Sequence, residues 1–226
     1  MTAGNQTAEL DWTDGCVPVS TRFGDPYFSL GGGLAETRHV FLAGNGLPGR
    51  FRPGFHIAEL GFGTGLNMLA GLLAWRGSGQ SGPLRFTSFE AYPMAPADIA
   101  RALSAFPEVA EMAAGFLDQW SAGLRQIRLP GLAADIVIGE AAATLGPWPG
   151  RADAWFLDGF SPAKNPGLWT DALMAQVAAH SGAGGTFATY TAAGVVRRAL
   201  AGAGFAVERR PGFGHKRHMT TGILSA

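Results

Sequence analysis

Four acids and a run of glycines have the spacing that cofactor chemistry requires. In Glu59-Leu60-Gly61-Phe62-Gly63-Thr64-Gly65-Leu66-Asn67, glycines alternate between a short apolar run and a longer apolar stretch. Glycines at such a junction let a ligand approach the backbone closely, and a helix that follows offers unpaired N–H groups. Leucine at 66 breaks the G-x-G-x-x-G dinucleotide fingerprint. Glu59 would repel a pyrophosphate and attract the ammonium of an aminoacyl cofactor, so the loop favours S-adenosylmethionine over NAD. The candidate cofactor-binding positions are therefore Glu59, Gly61, Phe62, Gly63, Thr64, Gly65 and Asn67. The competing reading is a tight strand–helix turn without a ligand. Glu90 follows at the spacing at which an acid takes both hydroxyls of a ribose. A solvated strand end is the alternative for Glu90, and Glu140 is a candidate to accept from an adenine amino group. Asp158, in Leu157-Asp158-Gly159-Phe160-Ser161-Pro162, ends the most hydrophobic run of the chain. It is the candidate catalytic residue and a further candidate cofactor contact; capping the next turn is its ordinary alternative.

These side chains need elements to hold them. Apolar periodicity predicts strands over 56–60, 85–90, 154–158 and 185–190, and helices over 67–75, 97–105, 108–117, 168–180 and 192–203. Pro130-Gly131 splits an expected hairpin over 125–129 and 134–138. The C-terminal runs 204–209 and 218–224 suit an antiparallel pair joined by a loop over 210–217. Strands alternating with helices indicate an α/β fold with a parallel sheet, whose ligand crevice lies off the carboxyl ends of the strands. Residues 1–50 break the rhythm; they are expected to form loops and short strands around turn residues such as Gly31-Gly32-Gly33 and Asn45-Gly46. The organisation expected is one domain over 1–226, with an N-terminal elaboration over 1–50 and a core over 51–226.

Composition narrows the class. The 226 residues carry 17 Lys+Arg and 17 Asp+Glu, so a polyanion must be met by a local patch rather than by net charge. Arg197, Arg198, Arg209, Arg210, Lys216 and Arg217 crowd one stretch against the single acid Glu208. With Phe213 in a glycine-flanked loop, that cluster suits phosphates and a stacked, splayed-out base; a solvated basic face is the alternative. Lys164 is a further candidate phosphate contact. One cysteine excludes an internal disulfide, and five scattered histidines suggest no metal site. The polar start, Met1 to Gln6, lacks the features of a signal peptide, and no apolar run approaches the ~20 residues that span a bilayer. A cytoplasmic protein is expected.

Several segments resemble the methyltransferase domain of the MnmC family, the tRNA 5-methylaminomethyl-2-thiouridine biosynthesis proteins. The resemblance rests on Gly24-Asp25-Pro26-Tyr27-Phe28-Ser29, Glu36-Thr37-Arg38-His39-Val40-Phe41-Leu42 and the loop from Glu59 to Asn67. It continues through Asp153-Ala154-Trp155-Phe156-Leu157-Asp158-Gly159-Phe160-Ser161-Pro162-Ala163-Lys164-Asn165-Pro166, the stretch 186–198, and Gly212-Phe213-Gly214-His215-Lys216-Arg217. It implies a Rossmann-like class I S-adenosylmethionine-dependent methyltransferase acting on the anticodon region of tRNA. The amine of a 5-aminomethyl group on the wobble uridine would attack the sulfonium methyl. Asp158 would accept a hydrogen bond from that amine, and Phe160 and Tyr27 would wall the site. Where the family pattern has Gly-Asp after the third strand, this chain has Gly139-Glu140, one methylene longer. Many members also carry an FAD-dependent oxidase domain that generates the amine. No second glycine fingerprint for FAD follows here, so a stand-alone or excised form, with a separate or fused oxidase partner, is the expectation. A methyltransferase for a small-molecule amine and a non-catalytic RNA-binding subunit remain the alternatives.

Overall fold

Short alternating runs near the start of the chain close into a three-stranded antiparallel sheet of β1 (Leu10–Thr13), β2 (Val17–Ser20) and β3 (Asp25–Pro26). The structure, a computed structural model, describes residues 7–13, 15–29 and 32–225; the polar start at 1–6 and Gly31 of the triple-glycine run lie outside them. The expectation of loops and short strands over 1–50 holds only in part. Residues 33–45 are continuously helical, as α1 (Gly33–Thr37), a π-turn over Arg38–Leu42 and a 3-10 turn over Ala43–Asn45. The sequence hides this run because its pitch changes from α to π to 3-10, so no single period repeats along it. Burial of Leu34, Val40, Phe41 and Leu42 against the core holds it.

The remaining elements alternate as expected. β4 (His56–Leu60) leads into α2 (Leu66–Gly77) and β5 (Leu84–Glu90), followed by α3 (Pro96–Leu103) and α4 (Ala110–Ser121). The hairpin β6 (Gln126–Leu129) and β7 (Leu132–Ile138) turns at Pro130-Gly131. Then come α5 (Ala141–Thr144), β8 (Ala152–Leu157), α6 (Asp171–Ala179), β9 (Ser181–Thr189) and α7 (Gly194–Gly202). β10 (Phe205–Pro211) and β11 (His218–Leu224) form the expected antiparallel pair. Where a single helix was expected over 168–180, a 3-10 turn at Pro166–Trp169 precedes α6, because the Thr170 hydroxyl accepts from the Leu173 N–H and starts a new helix there.

Eight strands form one sheet in the order β10-β11-β9-β8-β4-β5-β7-β6. The inner five run parallel, and every residue of β4 is buried, as befits a strand covered on both faces. Alternate residues serve opposite faces. Ile57, Phe86, Ala154 and Phe156 pack towards the α1–α4 side, whereas Ala58, Phe89, Trp155 and Leu157 pack towards α5–α7. The result is a three-layer α/β/α arrangement, and the N-terminal segment contributes to the first of these cores through Leu34, Val40 and Phe41. Arg50 fastens it from below: its guanidinium donates to the carbonyls of Asn45, Asp153 and Gly184 and to the Thr186 hydroxyl.

The chain leaves β4 towards β5 and β7 on one side and returns to β8 and β9 on the other. This reversal opens a crevice at the carboxyl ends of the strands. β10 runs in the same direction as β9, since both pair antiparallel with β11. The tip of the terminal hairpin therefore sits at the same edge of the sheet as the crevice.

Candidate active site

A cavity of about 1120 Å³ occupies that crevice. Sites for one small molecule commonly measure ~300–1,000 Å³, so there is room for two reactants. Its floor is the turn from β4 into α2, with Gly61, Gly63, Thr64 and Asn67 on the wall. Gly61 has φ +86°, and a Cβ there would lie 2.9 Å from the Asp158 carbonyl oxygen. This glycine is required by contact with the neighbouring loop as well as by backbone conformation. The Gly63 N–H donates to Glu90 Oε2 at 2.9 Å and the Tyr92 N–H to Glu90 Oε1 at 2.7 Å. Burial pushes the Glu90 pKa up, while these backbone donors pull it down. Glu140 is also on the wall, accepting from the Tyr92 hydroxyl at 3.0 Å.

Glu59 is placed differently from the expectation. It is fully buried, is not on the cavity wall, and accepts from Asn67 Nδ2 at 2.9 Å and from the Ser88 hydroxyl at 2.7 Å. β4 is covered on both faces, so the Glu59 side chain lies beneath the loop and braces it rather than meeting an ammonium directly. Burial pushes its pKa well up. Phe62 and Gly65 are likewise off the wall. The Phe62 ring stacks on Trp120 at 5.3 Å, and a Cβ on Gly65 would press on Phe62 and Phe116.

Asn67 links the two acids at the centre. Its amide nitrogen donates to Glu59 and, at 2.8 Å, to Asp158 Oδ2, while its oxygen accepts from the Thr37 hydroxyl at 2.7 Å. Asp158 Oδ1 accepts from the Gly159 N–H at 2.8 Å. Burial pushes the Asp158 pKa up to about 6, against the lowering effect of these two donors. A carboxylate held this way suits accepting a proton close to neutral pH.

Phe160 lies on the wall, stacked on Phe23 at 4.7 Å and edge-on to Tyr27 at 4.9 Å. Phe213 and Lys216 reach the wall from the hairpin tip. Four other expected contacts do not reach the wall. Lys164 pairs with Asp25 at 2.9 Å and donates to the Gly24 carbonyl, while Asp25 also accepts from the Ser161 N–H, so this lysine ties the Asp158 loop to the N-terminal sheet. Arg197 and Arg198 belong to α7, and Arg217 is exposed at the hairpin tip. The sequence reading missed Glu36, Thr37, Tyr92 and Tyr190. Glu36, Thr37 and Tyr190 lie within segments that resemble the MnmC family, but the sequence assigns them no chemical role, and no local pattern marks Tyr92.

The donor set fits S-adenosylmethionine. An acid ends β5 and another follows each of β7 and β8, and a glycine turn admits close approach beneath them. A family model described as S-adenosyl-L-methionine-dependent methyltransferase matches residues 107–225. A tRNA 5-methylaminomethyl-2-thiouridine biosynthesis bifunctional protein MnmC from Caulobacter vibrioides is 49% identical over 216 residues, covering 92% of this chain and 36% of that protein. Its counterpart from Chromobacterium violaceum is 46% identical over 229 residues, covering 96% of this chain and 34% of that protein. The chain thus spans about a third of the length of these curated relatives. The crystal structure of MNMC2 from Aquifex aeolicus shares the fold, with a TM-score of 0.76 at 24% identity over 99% of this chain and 72% of that one. Glycine turn, strand-end acids and sequence kinship agree: this chain belongs to the S-adenosyl-L-methionine-dependent methyltransferase family, with MnmC proteins among its relatives.

Proposed function

We propose that the chain transfers a methyl group from S-adenosylmethionine to the primary amine of a 5-aminomethyl group on the wobble (2-thio)uridine of tRNA, giving 5-methylaminomethyl-2-thiouridine. The observation that carries this reading is the Asp158 carboxylate, fixed by Asn67 and Gly159 on the wall of a cavity large enough for cofactor and acceptor. The names of the MnmC relatives support the tRNA product.

Glu90, Glu140 and the loop from Gly61 to Thr64 hold the cofactor, which supplies a methyl group activated on a sulfonium. An alkylamine with a pKa of ~10 is mostly protonated at neutral pH, so a proton must leave before the nitrogen can attack, and because a carboxylate by itself favours the ammonium, Asp158 is not simply an activator of the amine. Asp158 accepts the N–H of the amine, aims its lone pair and takes up the positive charge that develops on nitrogen. Phe160, Phe23 and Tyr27 exclude water and present ring faces to a base. Much of the acceleration comes from holding the reacting atoms ~3–3.5 Å apart in that dry site. The basic hairpin tip beside the cavity favours an RNA acceptor over a free small amine. An FAD-dependent oxidase, fused or separate, generates the amine.

The test is methyl transfer from radiolabelled S-adenosylmethionine to tRNA bearing the 5-aminomethyl group, with tRNA lacking it as control. Label at the wobble uridine of the amine-bearing tRNA alone is expected. Label on a small-molecule amine but not on that tRNA, or no label despite cofactor binding, would overturn the reading.

A further inference from the structure

The hairpin joining β10 to β11 bends over the cavity and is pinned to the N-terminal helical segment at two points. His39 Nε2 meets the Pro211 carbonyl at 3.1 Å, and Lys216 Nζ donates to Glu36 Oε1 at 2.7 Å. The second contact lies inside the cavity: Glu36, Lys216, Tyr190 and Asp158 all line it. The Lys216 ammonium also stands 4.2 Å from the centre of the Tyr190 ring, at cation–π distance. The Tyr190 hydroxyl donates to the Gly159 carbonyl at 2.7 Å, which fixes that ring relative to the residue beside Asp158. A carboxylate and an aromatic face next to an acceptor carboxylate make a receptor for a primary alkylammonium, and Lys216 carries that group.

We propose that Lys216 is an internal occupant of the acceptor-amine subsite: its ammonium stands where the ammonium of the substrate binds, between Glu36 and the Tyr190 ring beside Asp158, and leaves when a substrate amine enters. The inference rests on the acceptor proposed above being a primary amine.

Exposure supports exchange. The Glu36 side chain is only 11% exposed, so its carboxylate needs a cation partner, whereas the Lys216 side chain is 45% exposed on a hairpin turn and can swing out. Exchange keeps the carboxylate paired throughout, because one ammonium replaces another. Glu36 and Lys216 also act in opposite senses on the ionisation of Asp158, so a cation in this place holds Asp158 ionised. Once released, Lys216 joins His215 and Arg217 at the exposed tip, where the phosphates of the same tRNA compensate its charge. A uridine without the amine cannot displace Lys216, so the exchange selects the aminated acceptor.

The test measures binding of 5-aminomethyluridine, with 5-hydroxymethyluridine as a neutral control, in the presence of S-adenosylhomocysteine. Lys216→Met removes the ammonium and keeps the stem. It should bind the amine about tenfold more tightly than the wild type, because no competing cation has to be expelled, with the neutral nucleoside unchanged. Adding Glu36→Gln should abolish the gain, and Lys216→Arg, which retains a cation, should bind the amine as weakly as the wild type. Equal or weaker binding of the amine by Lys216→Met, or no binding by either protein, overturns the proposal, provided S-adenosylhomocysteine affinity shows the fold intact. If that affinity is lost, the comparison of Lys216→Gln with Lys216→Arg decides in the same way. Binding needs no methyl transfer. A Lys216-dependent gain in a protein that fails to methylate aminated tRNA would therefore overturn the proposed function and leave the subsite standing.

Discussion

The role proposed for Asp158 depends on surroundings that are unfavourable to its charge. An ordinary aspartate, near 3.8, is a weak proton acceptor at neutral pH, whereas burial brings this one up to about 6. Below that value the carboxyl group is protonated and loses its role as acceptor; above it the role is restored. With saturating cofactor, kcat/KM for the acceptor, which reports groups of the unoccupied acceptor site, should therefore fall as pH drops through about 6, and a limb near 4 instead would remove Asp158 from the acceptor role proposed for it. Asp158→Asn should keep cofactor binding and lose about 10²–10⁴-fold in kcat, the usual contribution of such a group. The raised value also has a cost in stability. The folded chain holds a proton that the unfolded chain releases, so this group's contribution declines as pH rises from 3.8 to about 6. Asn67 is the positioning partner, since one amide serves both Glu59 and Asp158.

Among the elements, the turn from β4 into α2 and the loop after β8 lock against each other. Gly61 carries the contact, with only 2.9 Å available between a would-be Cβ and the Asp158 carbonyl oxygen and 3.2 Å to Gly159 Cα. Gly79 also has positive φ, +69°, but nothing lies within 4 Å of a Cβ there. The two positions separate conformational strain from collision. Gly79→Ala should cost ~1–2 kcal/mol for its left-handed backbone. Gly61→Ala should cost that and more, and should also weaken S-adenosylmethionine binding because the glycine turn and Asp158 move together. Urea unfolding and cofactor titration of both variants check this. Equal losses at the two positions would show that the interlock yields without penalty.

For the molecule as a whole, equal numbers of basic and acidic residues leave no general field to draw in a polyanion, so binding must depend on where the charges sit. Arg209, Arg210 and Arg217 are exposed around the hairpin tip at the cavity edge of the sheet, whereas Arg85 is exposed near the amino end of β5, at the opposite edge. Arg210→Glu with Arg217→Glu should weaken tRNA binding and reduce the slope of log affinity against log salt by about one for each phosphate no longer neutralised. Cofactor affinity should not change, and Arg85→Glu should leave tRNA binding intact. Filter binding across a salt series makes the comparison; a matching loss from Arg85→Glu would assign the affinity to net charge alone. No helix among the described residues is long and apolar enough to cross a membrane.

Local signals in the sequence determined the alternation of strands and helices, the glycine turn, the strand-end acids and Asp158, because period, turn chemistry and motif spacing are properties of neighbouring residues. They did not reveal the helical run over 33–45, which is held by burial rather than by propensity. Nor did they give the direction of Glu59, which depends on whether its strand is covered on one face or two. Only tertiary structure brought Glu36 to Lys216 across 180 positions, and Tyr190 between them and Asp158. Such contacts follow from the order of strands in the sheet and the fold of the last hairpin, and those are fixed by packing of the whole chain, not by any window within it.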